Sequence, residues 1–257
     1  MKSPEEKAQQ IFGARAAFYT TSPFHTDPQV LARVVELART QQDWSALDIA
    51  TGSGHTAFAL ASHVRSIIGI DITPEMLREA EALKAARSID NVSFRTGDVH
   101  NLPFDDGAFD LVTCRRAAHH FSDIGRALEE IRRVLRPGGR VVIDDRSVPE
   151  DDFADRCMNL LDTYHDESHV REYRPTQWQR MMEHARFEIE VVETYTRHRP
   201  LSALTARASE ENARKIRETV AGFTEEERKV FNLVEKDGEL HLNHWFVMVA
   251  ATRLDGV

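Results

Sequence analysis

LDIATGSGHTA, residues 47–57, decides the architecture, and Asp71 completes its reading. Leu47 and Ile49 read as one buried strand, TGSG as a turn of small residues, and His55 onward as the first turn of a helix. Gly52 and Gly54 carry no Cβ, so the main chain can bend sharply and press its N–H groups against a bound molecule. The helix that follows aims its positive end at the same place, which suits an anionic group. Asp71 ends the next strand, SIIGID, where a carboxylate can accept hydrogen bonds from both hydroxyls of a ribose. Together these residues mark a site for an adenosine-containing cofactor.

Gly52-x-Gly54-x-x-Ala57 followed by an acid also satisfies the loose dinucleotide pattern of NAD(P) oxidoreductases. Asp48 argues against that reading. Just before the turn, its carboxylate would repel a pyrophosphate but welcome an ammonium or sulfonium. Asp98, in TGDVHNLPF after the third strand, can accept from the exocyclic amine of adenine. FDLVTCR, HHF and LRPGGR then follow in that order. Over roughly Ala46–Asp145 the chain resembles the class I S-adenosylmethionine (SAM)-dependent methyltransferases, above all the ubiquinone/menaquinone-biosynthesis (UbiE-like) group. It departs from that group at Ala50, where most members have the first glycine of the turn; alanine fits there provided its φ stays negative.

The resemblance implies an α/β fold: a doubly wound, Rossmann-like, seven-stranded sheet, mostly parallel, with an antiparallel last strand. It also implies SAM as cofactor and S-adenosylhomocysteine as product. Motif position and physics together assign Asp48 to the methionine ammonium and Ala50, Thr51, Gly52 and Gly54 to the turn. Asp71 takes the ribose hydroxyls, Ile72 forms an apolar wall for adenine, and Asp98 and Val99 hold the adenine edge. Arg115, past the fourth strand, offers its carbonyl to the ammonium or its guanidinium to a carboxylate.

The 257 residues suffice for one domain with its own core. The balance of 33 basic against 42 acidic residues argues against a nucleic-acid backbone as the main partner. Lys2, Glu5, Glu6 and Lys7 interrupt any early signal-like run, and no apolar stretch is long enough to span a membrane. The two cysteines, Cys114 and Cys157, provide neither a disulfide framework nor metal-ligand spacing, so a cytoplasmic home is expected. Cys114 reads as a buried strand residue rather than a nucleophile.

Alternating strands and helices occupy the middle of the chain, with strands over 46–50, 66–71, 92–95, 109–114 and 140–144. Ligands in such sheets sit beyond the carboxyl ends of the strands, where Asp48, Asp71, Asp98, Arg115 and Asp144 all fall. Thr73 is expected to cap the helix after the second strand. A helix over 122–135 stops at Pro137-Gly138-Gly139, and two charged helices over 202–220 and 224–236 precede a final strand. One domain, 1–257, therefore carries an N-terminal helical segment, 1–43, and an insertion, 147–186, of two helices around a polar loop. By resemblance the first covers the methionine end of SAM and the second forms a substrate lid; the plainer alternative for the first is an amphipathic helix packed on the domain. Tyr19, Ser22 and His25 are its candidate substrate contacts.

Methyl transfer from a sulfonium is a direct displacement, so the protein mainly aligns the reactants and excludes water. A base is needed only for a nucleophile that keeps its proton at pH 7. His119 and His120 are the candidates; adjacent residues of an extended segment point opposite ways, so one is expected to face the pocket. A packing role for the pair is the alternative. In the lid, Arg171 could clamp an anion and Tyr173 or Trp178 could stack on a ring, with His169 nearby. His165 and His169 lack a further ligand set, so no metal is expected. The SHVREY stretch, with the preceding VPED, resembles a bacterial subgroup named after YcgJ. The expected activity is SAM-dependent O- or C-methylation of a small-molecule acceptor, a hydroxylated or quinone-like ring; a non-catalytic SAM sensor and an NAD(P) oxidoreductase are the alternatives. N- or S-methylation, the acceptor and the oligomeric state stay open.

Overall fold

A computed structural model of the chain describes residues 3–254. Two helices lead, α1 (Pro4–Thr21) and α2 (Pro28–Ala38). Ser3 and Glu6 cap the first reciprocally, and Asp27 Oδ1 accepts from Gln29 N at 3.0 Å to open the second. Alternation follows as β1 (Ser45–Ile49), α3 (His55–Leu60), β2 (Ser66–Asp71), α4 (Pro74–Arg87), β3 (Val92–Thr96), β4 (Phe109–Arg115), α5 (Ile124–Val134) and β5 (Leu135–Ser147). Then come α6 (Asp152–His165), α7 (Pro175–His184), β6 (Phe187–Pro200), α8 (Ser202–Thr205), α9 (Glu210–Ala221), α10 (Glu225–Val230), β7 (Val234–Lys236) and β8 (Glu239–Arg253).

The sheet runs β3-β2-β1-β4-β5-β8-β6, parallel from β3 to β5, with β8 antiparallel to both of its neighbours. Short β7 also pairs with β8, so the sheet has eight strands rather than the seven expected. β7 lies where a helix over 224–236 was expected. That helix ends at Val230 because Asn232 and the Asp237-Gly238 turn hold φ of 47°, 54° and 77°, which a helix cannot accommodate. The expected helix over 202–220 is broken into α8 and α9. Thr73 stands at the head of α4, but its side chain accepts no bond from the helix.

Strand alternation splits the core across the sheet. Leu47, Val112, Val141, Ile143, Val247 and Val249 pack on one face with Leu128 and Ile131 of α5 and Trp178 and Met182 of α7. Ala46, Leu111, Val142, Met248 and Ala250 pack on the other with Val30, Val34 and Leu37 of α2 and Phe58 of α3. A third cluster joins Met158 and Leu161 of α6 to Ile216 of α9, Phe231 and Leu242. The insertion and the C-terminal helices thus share a core of their own beside the strand ends. Sequence order reverses about β1, which lies between β2 and β4, and this leaves a crevice at their carboxyl ends.

Candidate active site

The turn after β1 is built as a cradle. Thr51 N donates to Ile70 O at 2.8 Å and Gly54 N to Thr51 O at 2.9 Å, folding the chain back before α3. Gly54 has φ 85°, and a Cβ there would lie 2.9 Å from the rings of Phe58 and Phe94. Gly69, on β2 behind the turn, was not anticipated; a Cβ there would meet Thr51 Oγ1 at 2.8 Å. Ala50 corrects an expectation, since its φ is +50° rather than negative. It bears the left-handed strain that a glycine would avoid.

Asp71 braces this cradle. Its Oδ2 accepts from Gly52 N and its Oδ1 from Thr73 N, both at 2.9 Å. Burial pushes its pKa up, against the pull of those two bonds. Asp48 is buried, with Oδ2 accepting from Thr51 Oγ1 at 2.6 Å and Oδ1 from Thr113 Oγ1 at 2.7 Å. Burial raises its pKa to about 6. Asp98 is more open, its Oδ1 accepting from His100 N at 2.9 Å and lying 2.7 Å from His100 Nδ1.

Arg115 donates from Nε to Thr56 Oγ1 at 3.0 Å and from Nη2 to His25 O at 2.6 Å. Its Nη1 is buried without a partner. The next residue, Arg116, turns the other way through φ 58°. It pairs with Asp144 at 2.8 Å, donates to Tyr195 OH at 2.7 Å and lies between the rings of Phe24 and Phe246, with its own Nη1 also buried and unpartnered.

These groups open onto two adjoining cavities. The first, about 1020 Å³ of open space counting its mouth, is lined by Asp48, Ala50, Thr51, Gly52, Asp71, Ile72, Asp98, Val99 and Arg115. Nine of the ten expected cofactor residues therefore converge, and Gly54 stands just behind them as the N-cap of α3. α1 closes one side with Glu5, Ala8, Phe12 and Tyr19. The second cavity, about 710 Å³, shares Phe12, Tyr19, His25, Arg116 and His120 with the first. It adds Ser22, His119 and His169, then Arg146, Arg199 and Arg207.

His119 and His120 differ in setting. Burial holds the His119 imidazole well below its ordinary pKa, hence neutral. Its Nδ1 lies 2.6 Å from Asp145 Oδ1, and its backbone N–H donates to Asp145 Oδ2 at 2.7 Å. This grip assigns the proton to Nδ1 and leaves Nε2 as an acceptor. His120, against Phe12, places Nδ1 3.1 Å from Ser168 O and lines both cavities. Both histidines thus face open space, where one was expected; a short 3₁₀ turn, Ala118–His120, replaces the extended backbone that would have sent them apart.

Three expected lid contacts are corrected. Trp178 is fully buried in the main core, facing Met182 one helical turn on. Arg171 is spent on Asp155 at 2.9 Å, and Tyr173 gives its carbonyl to Ser147 Oγ. None of the three lines either cavity. His165 and His169 do not converge on a shared ligand, since His165 Nδ1 bonds Leu204 O and His169 Nε2 bonds Asn159 Oδ1. Asp145 and Arg116 were missed, although alternation at the end of β5 signalled the first. Asp144 and Asp145 must face opposite sides, and they reach Arg116 and His119 respectively.

A doubly wound sheet with a glycine-turn cradle, an acid closing its second strand and an antiparallel strand set between β5 and β6 is the arrangement of the class I methyltransferases. The chain belongs to the family described as "Methyltransferase domain", whose profile matches residues 41–238. Within it the chain groups with the YcgJ-like and UbiE-like proteins. It is 38% identical over 170 residues to the uncharacterized methyltransferase YcgJ of Bacillus subtilis, a match spanning 66% of this chain and 67% of that one. It is 39% identical over 122 residues to the demethylmenaquinone methyltransferase of Thermus thermophilus, 47% of this chain and 55% of that one. The crystal structure of the B. subtilis YcgJ protein superposes with a TM-score of 0.83 at 29% identity, covering 89% of this chain and 99% of that one. Among the described residues, no helix is long and apolar enough to cross a membrane.

Proposed function

We propose that the protein methylates a small hydroxylated or quinone-like acceptor, with SAM in the first cavity and the acceptor in the second. The observation that carries this reading is the arrangement of two open cavities sharing one wall, with the cofactor residues on one side and His119 on the other. A sensor that only bound SAM would need no second chamber, and none of the first cavity's acids would suit a pyrophosphate.

The residues present fit SAM. Asp71 keeps lone pairs for ribose hydroxyls while its bonds to Gly52 and Thr73 hold it in place. Asp48, buried and without an ion-pair partner among the described residues, suits the ammonium, and Arg115 Nη1, likewise unpartnered among them, suits the carboxylate. Asp98 and Val99 serve the adenine edge, with Ile72 as its wall. Bound there, SAM supplies a methyl group made electrophilic by its sulfonium. α1 covers this site, and segment 147–186 shapes the acceptor side through His165, Asp166 and His169.

His119 is the base in this reading. His119 Nε2 would take the proton that the acceptor oxygen or ring carbon gives up as the methyl group passes to it from sulfur, which would leave as the neutral thioether. Asp145 fixes the tautomer and stabilises the imidazolium that results. Transfer of labelled methyl from SAM into a panel of phenols and quinols tests the activity. With an acceptor in hand, His119→Gln lowers turnover about 10²–10⁴-fold and leaves S-adenosylhomocysteine affinity nearly unchanged. Equal loss of both would reassign His119 to structure. The two free, buried cysteines suit a reducing compartment, and we place the enzyme in the cytoplasm.

A further inference from the structure

The second cavity holds more positive charge than its own acids neutralise. Arg146 touches both Asp162 and Glu172, and the three are buried together. Burial pushes Glu172 well above the carboxylate range, whereas Arg146 holds Asp162 below it against its own desolvation. Within that triad the charge of Arg146 is answered by its two carboxyl contacts. Asp166 is answered by Arg15 at 3.7 Å, and Arg116 by Asp144 at 2.8 Å.

Two cations remain. Among the described residues, neither Arg199 nor Arg207 lies within ion-pair distance of a carboxylate, and both line the cavity. Each lies instead on an aromatic ring, Arg199 4.6 Å from the centre of Phe24 and Arg207 3.4 Å from that of Phe18. Burial and the neighbouring guanidiniums bring the Arg199 pKa down to about 10, which still leaves it charged at neutral pH. The Arg207 backbone is fixed from behind, because its carbonyl accepts from Arg15 Nη2 at 3.0 Å. Arg116 Nη1, buried and unpartnered, adds a third donor to the same lining. Arg199, half-buried and without a counter-ion, is unfavourable in a folded chain unless a ligand supplies the charge, and Arg207 stands exposed beside it on the same lining.

We propose that the acceptor is an oxyanion, a small molecule whose carboxylate or phosphate group is received by Arg199 and Arg207 while the rings of Phe24, Phe18 and Tyr19 flank its body. Forked guanidiniums match both head groups in geometry and charge. This inference rests on the methyltransferase reading and gives it a substrate class.

The test uses the full chain saturated with S-adenosylhomocysteine and two matched pairs of probes, benzoate against benzamide and phenyl phosphate against phenol, titrated calorimetrically. The expected result is that at least one anion binds tenfold or more tighter than its neutral partner. The double variant Arg199→Gln/Arg207→Gln loses that preference and keeps S-adenosylhomocysteine affinity within twofold. Whichever pair shows the preference assigns the head group. The proposal is overturned if neither anion is preferred, or if the preference survives the double substitution. Absence of S-adenosylhomocysteine binding to the wild-type chain would instead remove the cofactor reading, and this proposal with it.

Discussion

At the scale of single residues, the site spends stability on function at Asp48 and Ala50. Asp48 is held by the Thr51 and Thr113 hydroxyls, and burial sets its pKa at about 6, above an unfolded value of about 3.9. The sign follows from this upward shift. The stability that Asp48 contributes is fully present below about pH 4 and is lost as pH rises through about 6. An ammonium beside it would favour the ionised form and lower that pKa. S-adenosylhomocysteine affinity should therefore be level near pH 8 and fall by up to about tenfold per unit below pH 6. Asp48→Asn should flatten the profile, and a wild-type profile level down to pH 5 would take Asp48 away from the ammonium. Ala50, at φ +50°, bears about 1–2 kcal/mol of left-handed strain. Glycine relieves that strain but adds about 0.4–1 kcal/mol of unfolded-chain entropy. Ala50→Gly should thus be stabilising by up to about 1 kcal/mol in denaturant melts. A clear loss of stability would mean that the alanine methyl packs better than its strain costs.

At the scale of elements, α1 is held differently from the helices on the sheet. It fully buries only Ala8 and Ala16, and beside the ring contacts of Phe12 with His120 and Tyr19 with His25 its ties are polar: Gln9 Nε2 to Ile72 O at 2.6 Å, Thr20 Oγ1 to Glu79 at 3.0 Å and Ser122 to Glu5. α5, by contrast, buries five residues along one face. An element with so little apolar contact opens at low free energy, which suits a cover that must admit cofactor and acceptor. Hydrogen exchange should show α1 amides exchanging much faster than those of β1 and β4, then slowing when S-adenosylhomocysteine binds. Equal protection of α1 and the central strands without ligand would contradict a mobile cover. A helix was legible here because Phe12, Ala16 and Tyr19 fall at helical spacing, and α1 ends at Thr21, just before the Ser22-Pro23 break. Trp178 misled for the opposite reason. Its aromatic character suggested a lid contact, whereas its spacing from Met182 already placed both on a buried helical face.

At the scale of the whole molecule, what the sequence disclosed was what is local in it. The cradle, Asp71, Asp98 and the parallel strands are written in contiguous motifs with the right period, and they lie where those motifs placed them. The acceptor chamber is assembled from distant pieces. His119 from the end of β4, Asp145 from β5, Arg199 from β6 and Arg207 after α8 meet only because β8 inserts between β5 and β6 and brings the C-terminal third of the chain over the strand ends. No period or spacing in the sequence encodes that meeting. The central claim is that the first cavity holds SAM, and calorimetric titration of the purified chain with S-adenosylhomocysteine, NADH and NADPH tests it most directly. Micromolar binding, about −8 kcal/mol, is expected for S-adenosylhomocysteine alone, whereas binding of a nicotinamide cofactor in its place would rule SAM out.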